Sequence, residues 1–153
     1  KYDENWDLTE FEHVFYTGPI DAFFQYKFGR LSYRTVNFEK YIADGDYQGN
    51  PVINYADADV PYTRIHEHKH FTPWEEHEKS VYFKEYSKET SETDIPYYPK
   101  RLKDDLEKLS LYEEEVNKLE NITFIGRLAT YRYMDMHHVI GEALNLVKLK
   151  FKL

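Results

Sequence analysis

The placement of arginine is the clearest chemical signal in this sequence. Only six of the 20 basic residues are Arg, and five of these lie within two residues of a Gly or Tyr. The five are Arg30, Arg34, Arg64, Arg127 and Arg132. A guanidinium binds phosphate oxygens through two parallel hydrogen bonds and stacks on aromatic rings, while Tyr hydroxyls add neutral donors. This pattern predicts a pocket for a small phosphorylated ligand. The alternative is that these arginines form ordinary ion pairs with the abundant carboxylates.

Histidines suggest a second kind of chemistry. His66, His68 and His70 alternate along a predicted strand, so three imidazoles on one face could bind zinc. The sequence supplies no convergent fourth ligand, so we expect this face to be polar or aromatic and expect no metal site. His137 and His138 are adjacent on a predicted helix, about 100° apart, and we expect them not to share a metal.

The sequence contains no motif for nucleophilic catalysis or for a glycine-rich phosphate-binding loop. The chain has no Cys, no Gly-x-Ser-x-Gly elbow and no Gly-x-Gly-x-x-Gly phosphate loop. The paired carboxylates Asp104-Asp105 and the run 113–115 lie on a predicted helix, and we expect them to face solvent.

Composition limits the remaining possibilities. The 153 residues carry a net charge of −8, which disfavours nucleic acid as a partner, and 18% aromatic residues indicate a folded chain. No apolar run approaches the ~20 residues of a membrane helix, and the first residues do not form a signal peptide. We therefore expect a cytoplasmic protein without a membrane partner. Because the chain begins with Lys1, we expect a piece of a longer protein.

The order of predicted elements is that of an α+β fold with a mainly antiparallel sheet. Apolar and aromatic runs predict strands over 12–18, 31–42, 52–55, 62–71, 81–86 and 122–125. Apolar residues at three- and four-residue spacing predict an amphipathic helix after Pro99 and a last helix from about Asp135. A short helix over 20–28 is expected to end at Gly29, and 1–11 and 148–153 are expected to be weakly structured.

Several longer motifs resemble one family. They are VFYTGPID at 14–21, FGRL at 28–31, TRIHEHKHF at 63–71, DIPYYP at 94–99 and GRLATYRYMDM at 126–136. In this order the sequence resembles the C-terminal portion of bacterial UDP-galactopyranose mutase, over roughly 11–146. The resemblance implies an isomerase that interconverts UDP-galactopyranose and UDP-galactofuranose, a precursor of cell-surface polysaccharide. It implies reduced FAD as the cofactor, whose N5 attacks the anomeric carbon as UDP departs.

The resemblance also assigns roles to individual residues. Arg64 would be catalytic, by binding the diphosphate close to the flavin. The substrate-binding residues would be Arg34, Asn54, Arg64, Tyr98 and Tyr133. Arg127, Asp135 and Met136 would contact the cofactor, with the N-terminus of the last helix beside the flavin.

The chain departs from the family because the N-terminal dinucleotide-binding fingerprint is absent. We expect a single unit over 1–153, in which 12–18 and 121–147 are remnants of a Rossmann-like FAD domain. Residues 19–120 would form the substrate-binding sheet and its amphipathic helix. We expect this chain alone to lack FAD and to be inactive, while the full-length protein binds UDP-galactose and could form a homodimer. The alternatives are a stand-alone, non-catalytic nucleotide-sugar binding module and, third, a structural or oligomerising domain.

Overall fold

Long-range contacts divide the chain into two units. The computed structural model describes residues 7–151. The terminal unit combines the described residues up to Arg34 with those from Thr90 onward, and the central unit is Thr35–Glu89. These boundaries differ from the predicted division at 12–18, 19–120 and 121–147. The predicted division assigns the segments to the FAD domain or to the substrate-binding sheet of the full-length protein. That assignment stays a prediction.

Five consecutive strands lie between the first helix and the second helix of the chain. In chain order the elements are β1 (Val14–Tyr16), α1 (Ile20–Phe23), β2 (Tyr33–Asp44), β3 (Val52–Asn54), β4 (Arg64–Glu67), β5 (Lys79–Glu89), β6 (Tyr98–Pro99), α2 (Lys103–Val116), β7 (Ile122–Phe124) and α3 (Met136–Phe151). The predicted α+β class with a mainly antiparallel sheet is confirmed. Among residues 7–151, none of the helices combines the length and apolar character needed to cross a bilayer.

The central unit is a sheet in the order β3-β4-β5-β2. β4 lies antiparallel to both of its neighbours, with Arg64 opposite Asn54 on β3 and opposite Glu85 on β5. Residues directly opposite each other project to the same face of a sheet. Asn54, Arg64 and Glu85 therefore share one face. The side chain of Ile65, the next residue along β4, is fully buried.

The terminal unit contains a small parallel sheet and an aromatic core. β1 and β7 pair in parallel, with Val14 opposite Ile122. The start of β2 pairs antiparallel with β6, which places Arg34 opposite Tyr98. The main core cluster gathers buried residues from the segments around α1, α2 and β7. Its members are Ile20, Leu31, Tyr33, Leu109, Tyr112 and Tyr131.

Two predicted elements are shorter than expected. The helix expected over 20–28 ends after Phe23, because Gln25 and Tyr26 adopt positive φ angles that a helix cannot contain. The strand expected over 62–71 ends at Glu67, and His68–Phe71 form a 3-10 turn. His66, His68 and His70 therefore do not line one strand face, and that prediction was wrong.

The two long helices also correct the predictions. Asp105 is only 1% exposed rather than solvated, because its carboxylate accepts the backbone N–H groups of Ser32 and Leu102 at the start of α2. α3 continues to Phe151, and a 3-10 turn forms at Leu8–Glu10, so both tails are more ordered than predicted. The rest of those tails, 1–6 and 152–153, lies outside the described residues.

Candidate functional site

In the central unit, Arg64 is held by side chains from both neighbouring strands. Its Nε–H donates to Oδ1 of Asn54 at 2.8 Å. Its Nη1 lies 3.6 Å from Oε2 of Glu85. The Arg64 side chain is 38% exposed, so a ligand in solvent can reach the guanidinium while two of its nitrogens contact protein. Arg64 and Asn54, both predicted as site residues, are therefore brought together.

Glu85 is the site residue that the sequence analysis missed. Its side chain is only 9% exposed, and Oε2 lies 2.9 Å from His66 Nε2. Thr63 donates its hydroxyl to Oε1 at 3.3 Å. No motif distinguishes Glu85 from the other 27 acidic residues of the chain. Glu85 could be recognised only by its position opposite Arg64 on the neighbouring strand, and that position is known only once the register of the two strands is known.

Glu67 anchors the end of the strand that carries Arg64. Burial opposes ionisation of its carboxyl group, but a hydrogen bond from Ser80 and three from consecutive backbone N–H groups outweigh it. Those N–H groups belong to Tyr47, Gln48 and Gly49, at 2.7–3.0 Å. Together they lower the pKa of Glu67 to about 2. The ionised carboxylate thereby fixes the loop between β2 and β3 against the last residue of β4.

In the terminal unit, two predicted tyrosines and one arginine form a stack. The rings of Tyr98 and Tyr133 lie 6.1 Å apart with 24° between their planes. The guanidinium carbon of Arg127 lies 4.9 Å from the centroid of Tyr98 and 5.4 Å from that of Tyr133. Arg34 is the cross-strand neighbour of Tyr98. Four predicted site residues of this unit therefore lie next to one another.

The segment that carries Arg127 and Tyr133 is tied into a fixed loop. Arg127 Nε donates to the Met134 carbonyl at 3.0 Å, and its Nη2 donates to the same oxygen. Tyr131 is fully buried with a positive φ angle, and its hydroxyl donates to the Ser32 carbonyl at 2.6 Å. Burial raises the pKa of Tyr131, so the hydroxyl remains a donor.

The N-terminus of α3 follows directly on this loop. The carbonyl of Asp135 accepts the N–H of Val139, which makes Asp135 the residue that begins the helix, as predicted. Met136, in the first turn, is 81% exposed. The first N–H groups of a helix lack acceptors within the helix, and its dipole favours negative charge there. Asp135 and Met136 are thus placed where an anionic group could bind.

Arg30 and Arg132 form ordinary ion pairs with carboxylates, as the alternative interpretation of the arginines predicts. Arg30 lies over the Tyr26 ring and 3.6 Å from Glu92, and Arg132 pairs with Glu142 at 2.6 Å. Arg132 also lines a cleft of about 500 Å³ in the terminal unit, and this cleft contains none of the predicted site residues. Proximity to Gly or Tyr was therefore not specific enough to identify ligand-binding arginines.

Within residues 7–151, two groups of side chains have metal-binding geometry. The ligand atoms of Asp135, His137 and His138 lie within 4.8 Å of one another, although His137 and His138 were expected to point apart. The ring centroids of His137 and His138 lie 4.0 Å apart, so the expectation that the two side chains point apart was wrong. All three residues are exposed, beside a helix N-terminus that disfavours cations.

In the second group, Asp46, Glu67 and His70, the ammonium of Lys69 already pairs with Asp46. Both Glu67 oxygens accept hydrogen bonds from backbone N–H groups, with Ser80 adding a further one. A metal would have to displace these partners. That the chain binds no specific metal stays a prediction.

Comparison with known proteins gives one consistent family. The family model for UDP-galactopyranose mutase matches residues 1–133. A probable UDP-galactopyranose mutase of Klebsiella pneumoniae is 56% identical over 138 residues, which are 90% of this chain and 36% of that protein. A dTDP-fucopyranose mutase of Escherichia coli is 54% identical over 144 residues, 94% of this chain and 38% of the relative. The UDP-galactopyranose mutase of Mycoplasma pneumoniae is 35% identical over 137 residues, 86% of this chain and 34% of the relative. The chain therefore spans little more than a third of the length of these relatives.

Proposed function

The chain belongs to the UDP-galactopyranose mutase family, and from this premise we propose that it is a portion of a flavin-dependent isomerase. The full-length enzyme would interconvert UDP-galactopyranose and UDP-galactofuranose. The observation that carries the proposal is Arg64, whose exposed guanidinium is held by Asn54 on one side and Glu85 on the other. A fixed, partly exposed guanidinium suits recognition of a diphosphate.

Arg64 is proposed to act on the leaving diphosphate. When the bond between the anomeric carbon and the diphosphate breaks, negative charge develops on the diphosphate oxygens. A preorganised cation stabilises that charge more than the charge of the intact substrate, and it therefore lowers the barrier. By the family resemblance, Tyr98 and Tyr133 would donate hydroxyl hydrogen bonds to the substrate in the full-length enzyme. Arg34 and Asn54 are likewise proposed as substrate-binding residues.

FAD is the cofactor that this proposal requires. When bound in its reduced form, the flavin supplies a nucleophilic nitrogen for the anomeric carbon. The terminal unit fits such a group, because the exposed Met136 and Asp135 stand at the N-terminus of a 16-residue helix. Arg127 would contribute a cation beside the Tyr98 and Tyr133 rings. We assign Arg127, Asp135 and Met136 to the cofactor.

The terminal unit is proposed to retain pieces of the Rossmann-like cofactor domain. β1 and β7 form a parallel pair. Parallel sheets occur almost only where other elements cover both faces, so this pair is typical of a larger sheet. None of the described residues of α3 is buried, and the apolar side chains of Met136, Ile140 and Leu144 are all exposed. Both features support a fold that the rest of the enzyme completes. We propose that this chain alone is inactive.

A second candidate substrate comes from the comparisons. The Escherichia coli relative is named a dTDP-fucopyranose mutase and is nearly as similar as the relative from Klebsiella pneumoniae. The proposed ring interconversion can therefore act on a dTDP-linked 6-deoxy sugar instead of UDP-galactose.

The test is an assay of the full-length enzyme with chemically reduced flavin. UDP-galactofuranose and dTDP-fucopyranose are supplied separately, and ring-isomer products are separated by chromatography. We expect conversion of the UDP sugar by wild type, and much slower but measurable conversion by Arg64→Ala. Conversion of the dTDP sugar alone would change the assigned substrate. Binding of UDP without any conversion would support the non-catalytic module and overturn the proposed isomerase.

A further inference from the structure

We propose that Glu85 is a positioning residue that orients the guanidinium of Arg64 for the mutase reaction. The inference rests on the proposed function and deepens it, because it names the group that keeps the diphosphate-binding arginine in place. Neither a motif nor a family role pointed to Glu85. Its role follows from the register of three strands.

The guanidinium of Arg64 is restrained at two of its three nitrogens. β3 supplies Asn54 to Nε, and β5 supplies Glu85 to Nη1. Contacts from both sides restrict rotation of the guanidinium plane in a way that one contact cannot. Among residues 7–151, none accepts a hydrogen bond from Nη2, the nitrogen left for a ligand. The direction in which Nη2 points is thus set by Asn54 and Glu85.

The carboxylate of Glu85 can hold Arg64 in one orientation because both of its oxygens contact other side chains. Thr63 bonds Oε1, and His66 lies 2.9 Å from Oε2. The side chain is almost fully buried, so water does not compete for these bonds. Oε2 is shared between His66 and Arg64. The carboxylate is therefore immobile, and its charge partly offsets that of the guanidinium.

A simpler role for Glu85 would be to hold β4 and β5 together. The structural role and the positioning role predict different effects of a Glu85 substitution when Arg64 is absent. A structural residue affects turnover whether or not Arg64 is present, whereas a positioning residue has nothing to orient once Arg64 is removed. A double-mutant cycle separates these cases.

The experiment uses the full-length mutase with reduced flavin and four proteins: wild type, Glu85→Gln, Arg64→Ala and the double variant. The glutamine keeps the size of the side chain and removes its charge. We expect kcat to fall about 10²-fold in Glu85→Gln, as for a misplaced catalytic group, with KM within about 3-fold. In the Arg64→Ala background, the same change should cost less than about 2-fold. Equal losses in both backgrounds would overturn the proposal.

Matched variants keep the result interpretable. Glu39→Gln is the control, since Glu39 is a carboxylate of the same unit that accepts hydrogen bonds from Tyr41 and Tyr86 and not from Arg64. Its turnover should equal that of wild type. If Glu85→Gln does not fold, Glu85→Asp retains the charge and shortens the reach by one methylene, and the same cycle is measured with it.

Affinity for UDP provides a readout that does not depend on turnover. Calorimetric titration with UDP over the same cycle should show weaker binding in Glu85→Gln and no further loss in the Arg64→Ala background. If wild type converts no nucleotide sugar but the UDP cycle shows this coupling, the proposed function fails and the role of Glu85 stands. If wild type is active and the cycle shows no coupling, the role of Glu85 fails alone.

Discussion

The rings of Tyr98 and Tyr133 lie stacked 6.1 Å apart, although β6 and the loop before α3 are distant in the sequence. Arg127 lies close to both rings and also donates to the Met134 carbonyl. One arginine therefore supports the loop and brings positive charge to two tyrosines. Its contribution to the fold can be separated from its contribution to cofactor binding by measuring both in the same variants.

Arg127→Met should destabilise the full-length protein measurably. The variant keeps an unbranched stem but removes the donors to the Met134 carbonyl. A hydrogen bond from a charged group contributes about 1.5–3 kcal/mol. Urea unfolding measures the loss. Arg132→Met is the control, because the exposed Arg132–Glu142 pair should contribute only about 0.2–1 kcal/mol. Equal losses in both variants would contradict the special role of Arg127, and the flavin content of each reports on the cofactor assignment.

Arg64→Lys should impair turnover and spare the fold. Lysine keeps one charge, but its single ammonium nitrogen cannot replace the three separate nitrogens with which the planar guanidinium contacts Asn54 and Glu85 and faces a ligand. Removing one preorganised donor typically costs about 10²–10³-fold in rate, and we expect this loss in kcat rather than in KM. Turnover of the reduced enzyme and its melting temperature are the measurements.

Arg30→Lys is the matched control for that substitution. Arg30 stacks on Tyr26 and pairs with the exposed Glu92, so the change should leave turnover unaltered. Wild-type turnover in Arg64→Lys would refute the catalytic role of Arg64.

Several elements were predictable because local signals coincide with tertiary structure. β3, β7 and α2 lie where apolar runs or three- and four-residue spacing placed them. The family resemblance predicted Arg64 and Asn54 as site residues, and the structure places them in contact. The sequence predicts an element correctly where the spacing of its apolar residues matches the repeat of a strand or a helix.

The failures have a different physical origin. Gln25 and Tyr26 end α1 through positive φ angles that non-glycine residues rarely adopt, so no turn residue marks the break. Asp105 looks like one more helix-surface acid, yet it is buried because it satisfies two backbone N–H groups. Glu85 acquires its role from residues on a neighbouring strand. Each of these outcomes depends on contacts between segments, which a single sequence does not encode locally.

The isolated 153-residue chain should not retain stoichiometric FAD. None of its six glycines forms the Gly-x-Gly-x-x-Gly turn whose backbone N–H groups bind the pyrophosphate. Arg127 and the α3 N-terminus would supply only part of such a site. The absorbance spectrum of the purified chain measures bound flavin, with the full-length protein purified in parallel as the control. One FAD per isolated chain would contradict this prediction.

Glu67→Gln should remove an acid-sensitive contribution to stability. The Glu67 pKa of about 2 lies below the usual 4.5, so the folded state binds fewer protons than the unfolded state between these values. The stabilisation is complete above pH 4.5 and is lost as pH falls toward 2. The shift corresponds to at most about 3 kcal/mol. Glutamine offers the three backbone N–H groups no anionic acceptor, so the variant should be less stable at pH 7 and approach wild type in acid.

The sign of this pH dependence is the decisive part of that experiment, and Asp21 provides the contrast. Burial raises the pKa of Asp21, although Leu31, Ala22 and Tyr33 donate hydrogen bonds to it. Its folded state binds the proton more readily, so its contribution to stability declines as pH rises above 3.8. The free energies of unfolding of wild type, Glu67→Gln and Asp21→Asn are measured from pH 2 to 7. The difference from wild type should grow with pH for Glu67→Gln and shift in the opposite direction for Asp21→Asn. A difference for Glu67→Gln that does not change with pH would show that its hydrogen bonds do not favour the ionised carboxylate.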